Sequence, residues 1–301
     1  MKMQTPTGNV PNTEGGQHFN ECKDIQIGSK LVERYEVLRK LSKNTISETV
    51  WVMDEKLNKV WVVKIYDKHL KGYYPSLGDA ISCEAHTLMK YDHPSIQKIA
   101  EVIETDDNIY VLMEYVEGQN LEELICNEGV VSEETAIIWA KQLCDALNYL
   151  HKQNPSYICW NLKPENIMLQ PCNNVKIIGS WATKANEMLQ DLDACGVGVL
   201  GYFAPEGYKR GDARADIFSL GMIIYYLLTG VNPYASSCEI RPIREFDPQL
   251  SHQLENILVR CTRPNPDERF QSCEELMMAL EGNPVFPQKK PGLFNKLFGK
   301  K

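Results

Sequence analysis

No two of the ten cysteines in this chain form a C-x-x-C pair, and none sits with histidines at zinc spacing. That excludes a zinc module and a thioredoxin-like redox site, and it reads as reduced thiols in a cytosolic protein. Long apolar runs are missing too. The longest, Ile217 to Leu228, contains a Ser and a Gly and is too short to span a bilayer, so it reads as a buried core helix. The N-terminus has no apolar h-region, so no signal peptide is expected. Positive charge is not in excess: the net charge of −8 argues against a general nucleic-acid binder. What is present is ordinary for a globular protein, with 43% hydrophobic and 24% charged residues over 301 positions.

Residues 1–32 are rich in Thr, Asn, Gly, Pro and Gln without apolar period, and are expected to form a disordered leader. From Tyr35 the texture changes. Tyr35–Leu38, Glu48–Met53 and Val60–Lys64 are short β-rich runs, and Asn58 marks a hairpin turn before the last. Ser76 to Tyr91 carries Ile81, Ala85, Leu88 and Met89 at helical spacing, ended by His93-Pro94. Ile99–Glu104 and Ile109–Tyr115 are two further strands. After Gly118 the chain turns helical: Leu121–Cys126 is short, and Ser132 caps a long amphipathic helix reaching His151. Ile167–Leu169 and Val175–Ile178 are short strands around an Asn-Asn turn, and helices dominate to Glu281. The order predicts an α+β fold of two lobes, a β-rich lobe over 33–117 with one long helix and a mainly α-helical lobe over 118–282. The tail, 283–301, is broken by Pro284, Pro287 and Pro291 and ends with Leu293, Phe294, Leu297 and Phe298 beside lysines. It is expected to fold back on the domain, with docking on a protein partner second and membrane contact not favoured.

An ordered set of motifs runs through these elements: Val62-Val63-Lys64, Glu84, Met113-Glu114-Tyr115-Val116, Asn161 to Asn166, Gly201 to Glu206, Asp216 to Gly221, and Arg269. In this order and spacing they resemble a eukaryotic-type protein kinase domain of the bacterial serine/threonine sort. The resemblance implies that Lys64 pairs with Glu84 and touches nucleotide phosphates. It implies that Glu114 and Val116 offer backbone groups to adenine, that Lys163 contacts phosphate and that Asn166 helps hold a metal. It also implies three scaffold roles: Glu206 and Arg269 as a buried ion pair, and Asp216 as the anchor of the catalytic-loop backbone.

Other matching positions have lost the family residue. The catalytic Asp is Asn161, and an amide cannot accept the substrate proton as a carboxylate does. The metal-binding Asp-Phe-Gly is Gly179-Ser180-Trp181, and Gly179 offers no hard oxygen side chain to magnesium. The glycine-rich loop is Ser42 to Thr49 without a glycine, and its Glu48 adds negative charge where phosphates would lie. Trp160 replaces an Arg, Val199 a Thr, and Val62 a small Ala over the adenine. Ser180 and Cys159 leave a stack with Leu88 and Ile99 short of ring-bearing members, with Trp181 a candidate to refill it. Glu187, Asp191 and Asp193 read as a polar surface loop, not as substitute ligands. From these losses the expected function is that of a pseudokinase: a protein-binding, scaffolding or allosteric module with protein partners and no nucleic acid. ATP would bind weakly if at all, and no metal or other cofactor is expected. The alternatives are a divergent ATP-dependent serine/threonine kinase and a nucleotide sensor without turnover.

Overall fold

The computed structural model describes residues 25–43, 47–68, 77–160, 162–179, 201–207, 212–233 and 240–283. The leader's first 24 residues, Asn161, the segment 180–200 and the tail from 284 lie outside the described residues.

The first lobe is a six-stranded antiparallel sheet. Its strands are β1 (Lys30–Leu31), β2 (Tyr35–Lys43), β3 (Ser47–Asp54), β4 (Lys59–Asp67), β5 (Ile99–Glu104) and β6 (Asn108–Glu114), in the order β1-β2-β3-β4-β6-β5. Alternation along each strand sends side chains to two faces. Val63 and Ile65 of β4 and Leu112 of β6 go to one face with Val37, Val50 and Val52. Val62 and Tyr66 of β4 and Ile109, Val111 and Met113 of β6 go to the other, where Ile81, Ala85 and Leu88 of helix α1 (Leu77–Leu88) cover them. Lys64 shares the parity of Val62 and Tyr66, so period two turns it toward the helix. Asn58 closes the β3–β4 hairpin with φ of 48°, a conformation asparagine tolerates better than most residues. Helix α1 is shorter than its apolar period suggests. Lys90 N–H bonds back only to Thr87, and Tyr91 N–H to Leu88, so the end tightens before Pro94.

The second lobe holds β7 (Gln119–Asn120), α2 (Leu121–Glu128), α3 (Glu133–His151), β8 (Ile167–Leu169), β9 (Val175–Ile177), α4 (Arg214–Thr229), α5 (His252–Cys261) and α6 (Cys273–Leu280). Ser132 caps α3 by accepting Thr135 N–H at 3.2 Å. Ala136, Trp139, Ala140, Leu143, Ala146, Leu147 and Leu150 form its buried stripe, as the sequence period requires. Helix α4 is buried nearly all round and forms the middle of this core. Among the described residues, no helix is long and apolar enough to cross a membrane.

Polar contacts join the lobes behind the 115–118 connection. Gln97 N–H donates to the Ile177 carbonyl at 2.8 Å and Ile177 N–H to the Ser95 carbonyl at 2.9 Å. Lys176 Nζ reaches Glu114 Oε1 at 2.6 Å. Tyr157 O–H donates to Glu84 Oε1 at 2.7 Å, tying α1 to the segment that leads into Asn161.

Candidate functional site

The site lies where β4, α1, the 115–118 connection and the turn Pro164–Asn166 meet. Half-buried Lys64 is the charge at its centre. Burial drives its pKa down to about 8; the Glu84 carboxylate pulls it up, and Lys163 pushes it down again. The sequence-matched Lys64, Glu84 and Lys163 are therefore within electrostatic reach of one another. Glu84 is buried and carries the Tyr157 hydrogen bond on its carboxylate. Lys163 lies half-buried, 3.7 Å from Glu165 Oε1, at the start of the Pro164–Asn166 turn.

Asn166 sits opposite Gly179. Its carbonyl accepts Ile178 N–H at 2.8 Å, and a β-carbon built on Gly179 would lie 3.8 Å from Asn166 Oδ1. A side chain at 179 would meet Asn166 in ordinary contact, and glycine brings no oxygen there. Gly179 also takes φ of 59°, where a side chain would be strained. Among the described residues no cluster of three or more His, Cys, Asp or Glu could hold a metal. Of the two positions matched to metal binding, Asn166 offers an amide oxygen and Gly179 no side chain, whereas magnesium takes one or two carboxylates besides phosphate and water oxygens. Glu187, Asp191 and Asp193 lie outside the described residues, as do Asn161, Ser180, Trp181 and Val199.

At the base side, Met113 is buried and Val116 nearly so. The Glu114 carbonyl does not stand open as the motif match implies: Gln97 Nε2 donates to it at 2.9 Å. The other end of that amide accepts Gly179 N–H at 3.3 Å. Gln97 carries no motif signal; only a polar residue between Ile96 and Ile99 hinted at it. Tyr157 and Lys176 likewise escape sequence reasoning, because their partners are distant in the chain.

Glu48 corrects one expectation. Its carboxylate is buried in the sheet between Lys40 Nζ at 3.5 Å and Lys43 Nζ at 3.8 Å. Register explains this: Lys43 stands directly across from Glu48. Its charge is countered by two lysines and does not stand alone before a phosphate. Trp160 is not a vacant Arg position but a packing residue, buried against Ala204 and Ala215 with Phe203 beside it. It sits at φ of 52°, a strained backbone held by the contacts around it.

Those contacts begin at Asp216. It is fully buried, and its two oxygens accept Cys159 N–H at 2.9 Å, Trp160 N–H at 2.9 Å and His151 Nε2–H at 2.8 Å. Arg269 is equally buried. It grips Glu206 through two bonds of 2.7 Å and spends its remaining donors on the carbonyls of Arg263, Arg214 and Pro264.

Residues 35–280 match the protein kinase domain family. The chain belongs to that family. The kinase domain is 27% identical over 282 residues to the serine/threonine-protein kinase cds1 of Schizosaccharomyces pombe, covering 86% of this chain and 61% of the relative. It is 26% identical over 268 residues to the serine/threonine-protein kinase PrkC of Bacillus subtilis, covering 83% and 40%. With the serine/threonine-protein kinase PknB of Mycobacterium tuberculosis it shares 29% over 276 residues, covering 84% and 43%. The chain spans about half the length of the curated relatives it matches. Its fold is that of PpkA in the apo form, at a TM-score of 0.73 and 18% identity over 86% of this chain and all of that one. It is also that of Rad53 in complex with AMP-PNP, at 0.68 and 21% over 81% and 64%.

These findings correct the expectation of a scaffolding pseudokinase. The relatives are named as serine/threonine kinases, and the family match runs through both lobes. The physical reason for the misreading is that lost side chains were counted as a lost site. Lys64, Glu84 and Lys163 still come within electrostatic reach of one another.

Proposed function

We propose that this chain is a divergent ATP-dependent serine/threonine protein kinase. The observation that carries the reading is the placement of half-buried Lys64 on the face of β4 that packs under helix α1, within electrostatic reach of the buried Glu84 and of Lys163. A cation kept in such a place gains most from an anionic ligand, and a nucleotide triphosphate supplies one. The kinase relatives of both lobes support the same reaction class.

Phosphoryl transfer needs little covalent help, since its transition state is loose and charge-spread. Positioning and electrostatics supply most of the acceleration. In this chain Lys64 and Lys163 bring positive charge to the phosphates, Glu84 and Tyr157 hold α1 in place, and Asn166 braces the turn beneath. Gly179 offers magnesium no carboxylate, and no step is routed through a metal. Asn161 can orient a substrate hydroxyl as a hydrogen-bond partner without taking its proton. A general base contributes roughly 10²- to 10⁴-fold, so turnover is slow rather than zero. The substrate is a Ser or Thr hydroxyl of a protein, and the described cysteines, all free thiols, suit a reducing cytoplasm.

Mass spectrometry after incubation with ATP tests this. Phosphate should appear on serine or threonine, on the chain itself or on added protein, and Lys64→Met should abolish it. Full incubation without any ATP-dependent phosphosite would overturn the reading.

A further inference from the structure

Gln97 occupies the hydrogen-bonding group that a purine would use. It sits just before β5 and is half-buried. Its backbone N–H is fixed to the Ile177 carbonyl at 2.8 Å, so the residue is anchored to β9. From there Nε2 donates to the Glu114 carbonyl at 2.9 Å while Oε1 accepts Gly179 N–H at 3.3 Å. The orientation of the amide follows from its partners: flipped, it would set donor against donor and acceptor against acceptor. Glu114 itself is held from three sides. Its N–H donates to the Lys98 carbonyl at 3.0 Å, and its carboxylate accepts Lys98 N–H at 3.0 Å and Lys176 Nζ at 2.6 Å. The carbonyl therefore has little freedom to turn away from Gln97.

We propose that Gln97 is a specificity-determining residue of the nucleotide pocket, which makes base recognition nearly indifferent to the choice between adenine and guanine. The proposal rests on the kinase reading above and deepens it. Adenine presents an amino donor and a ring acceptor along one edge, which suits an open carbonyl. Guanine presents a carbonyl oxygen there instead, which an open carbonyl repels. The Glu114 carbonyl already accepts the Gln97 amide on one of its two lone pairs, so the adenine amino group must share that acceptor and gains less from it. The Gln97 amide nitrogen has a second hydrogen, which can meet the guanine oxygen. One side chain thus weakens the preference for adenine and removes the penalty for guanine.

Calorimetry on the full chain with ATP and with GTP tests this, for the natural protein, Gln97→Ala and Gln97→Met. Methionine keeps the length and bulk but cannot donate, so it separates the hydrogen bond from packing. The natural protein should bind ATP and GTP within about threefold. Both variants should shift the ratio toward ATP by roughly 2- to 10-fold, the size of one neutral hydrogen bond. A natural protein that prefers ATP tenfold or more, or variants with an unchanged ratio, would overturn the proposal and leave the kinase reading standing. Failure of all three forms to bind either nucleotide would overturn both.

Discussion

Lys64 is a half-buried ammonium group on the helix-facing side of β4, and desolvation loosens its hold on the proton. Its pKa of about 8 lies below the ordinary lysine value because burial, the larger cause, outweighs the pull of Glu84. Below pH 8 the folded and unfolded chains both carry the charge, and the full cost of burying it is present. Above pH 8 the folded chain gives up a proton that the unfolded chain keeps to about pH 10.5. The stability contributed by this group therefore rises with pH across that window. Anion binding runs the other way, since it needs the charged form. ATP affinity should fall by about tenfold between pH 7 and pH 9.5, and Lys64→Arg, which stays charged, should flatten that profile. Calorimetry across the range checks both. Asn161 makes a second prediction at this scale. If transfer is slow because the base is an amide, Asn161→Asp should raise the steady-state rate by roughly 10²-fold. A rate unchanged in a steady-state peptide assay would show that proton removal is not what limits turnover.

At the scale of elements, buried charge pairs hold the second lobe in register. Arg269 and Glu206 are both nearly inaccessible and joined by two bonds of 2.7 Å. Glu206→Gln leaves the guanidinium without its counter-charge and should cost roughly 3–5 kcal/mol, seen as a melting temperature about 10 °C lower. A shift under 2 °C would contradict this. Asp216 does comparable work for the loop, capping two successive N–H groups beside the strained Trp160. Both arrangements were implied by the kinase resemblance of the motifs that hold Glu206, Asp216 and Arg269. Helix α3 was legible through its 3.6-residue period and its Ser132 cap. Gln97, Tyr157 and Lys176 were not, since each bonds a partner brought near only by the folding of the two lobes. Period and propensity carry no trace of such pairs.

For the whole molecule, the two-lobe architecture could be read from the order of its motifs, while the function could not be read from the residues missing within them. Gly179 does lack a metal-binding side chain, and a β-carbon there would only touch Asn166 Oδ1. In the folded chain Glu48 is neutralised by Lys40 and Lys43, and Trp160 packs into the core. The cleft keeps a half-buried lysine within electrostatic reach of a second one. A surface that binds phosphates through lysines can promote transfer without every part of the family apparatus, at the cost of rate. The most direct measurement is a time course of radiolabelled phosphate passing from ATP to a serine- or threonine-containing protein, with natural chain and Lys64→Met in parallel. A divergent kinase gives slow, linear incorporation that Lys64→Met abolishes. Incorporation that is absent in the natural chain, or equal in both proteins, would contradict it.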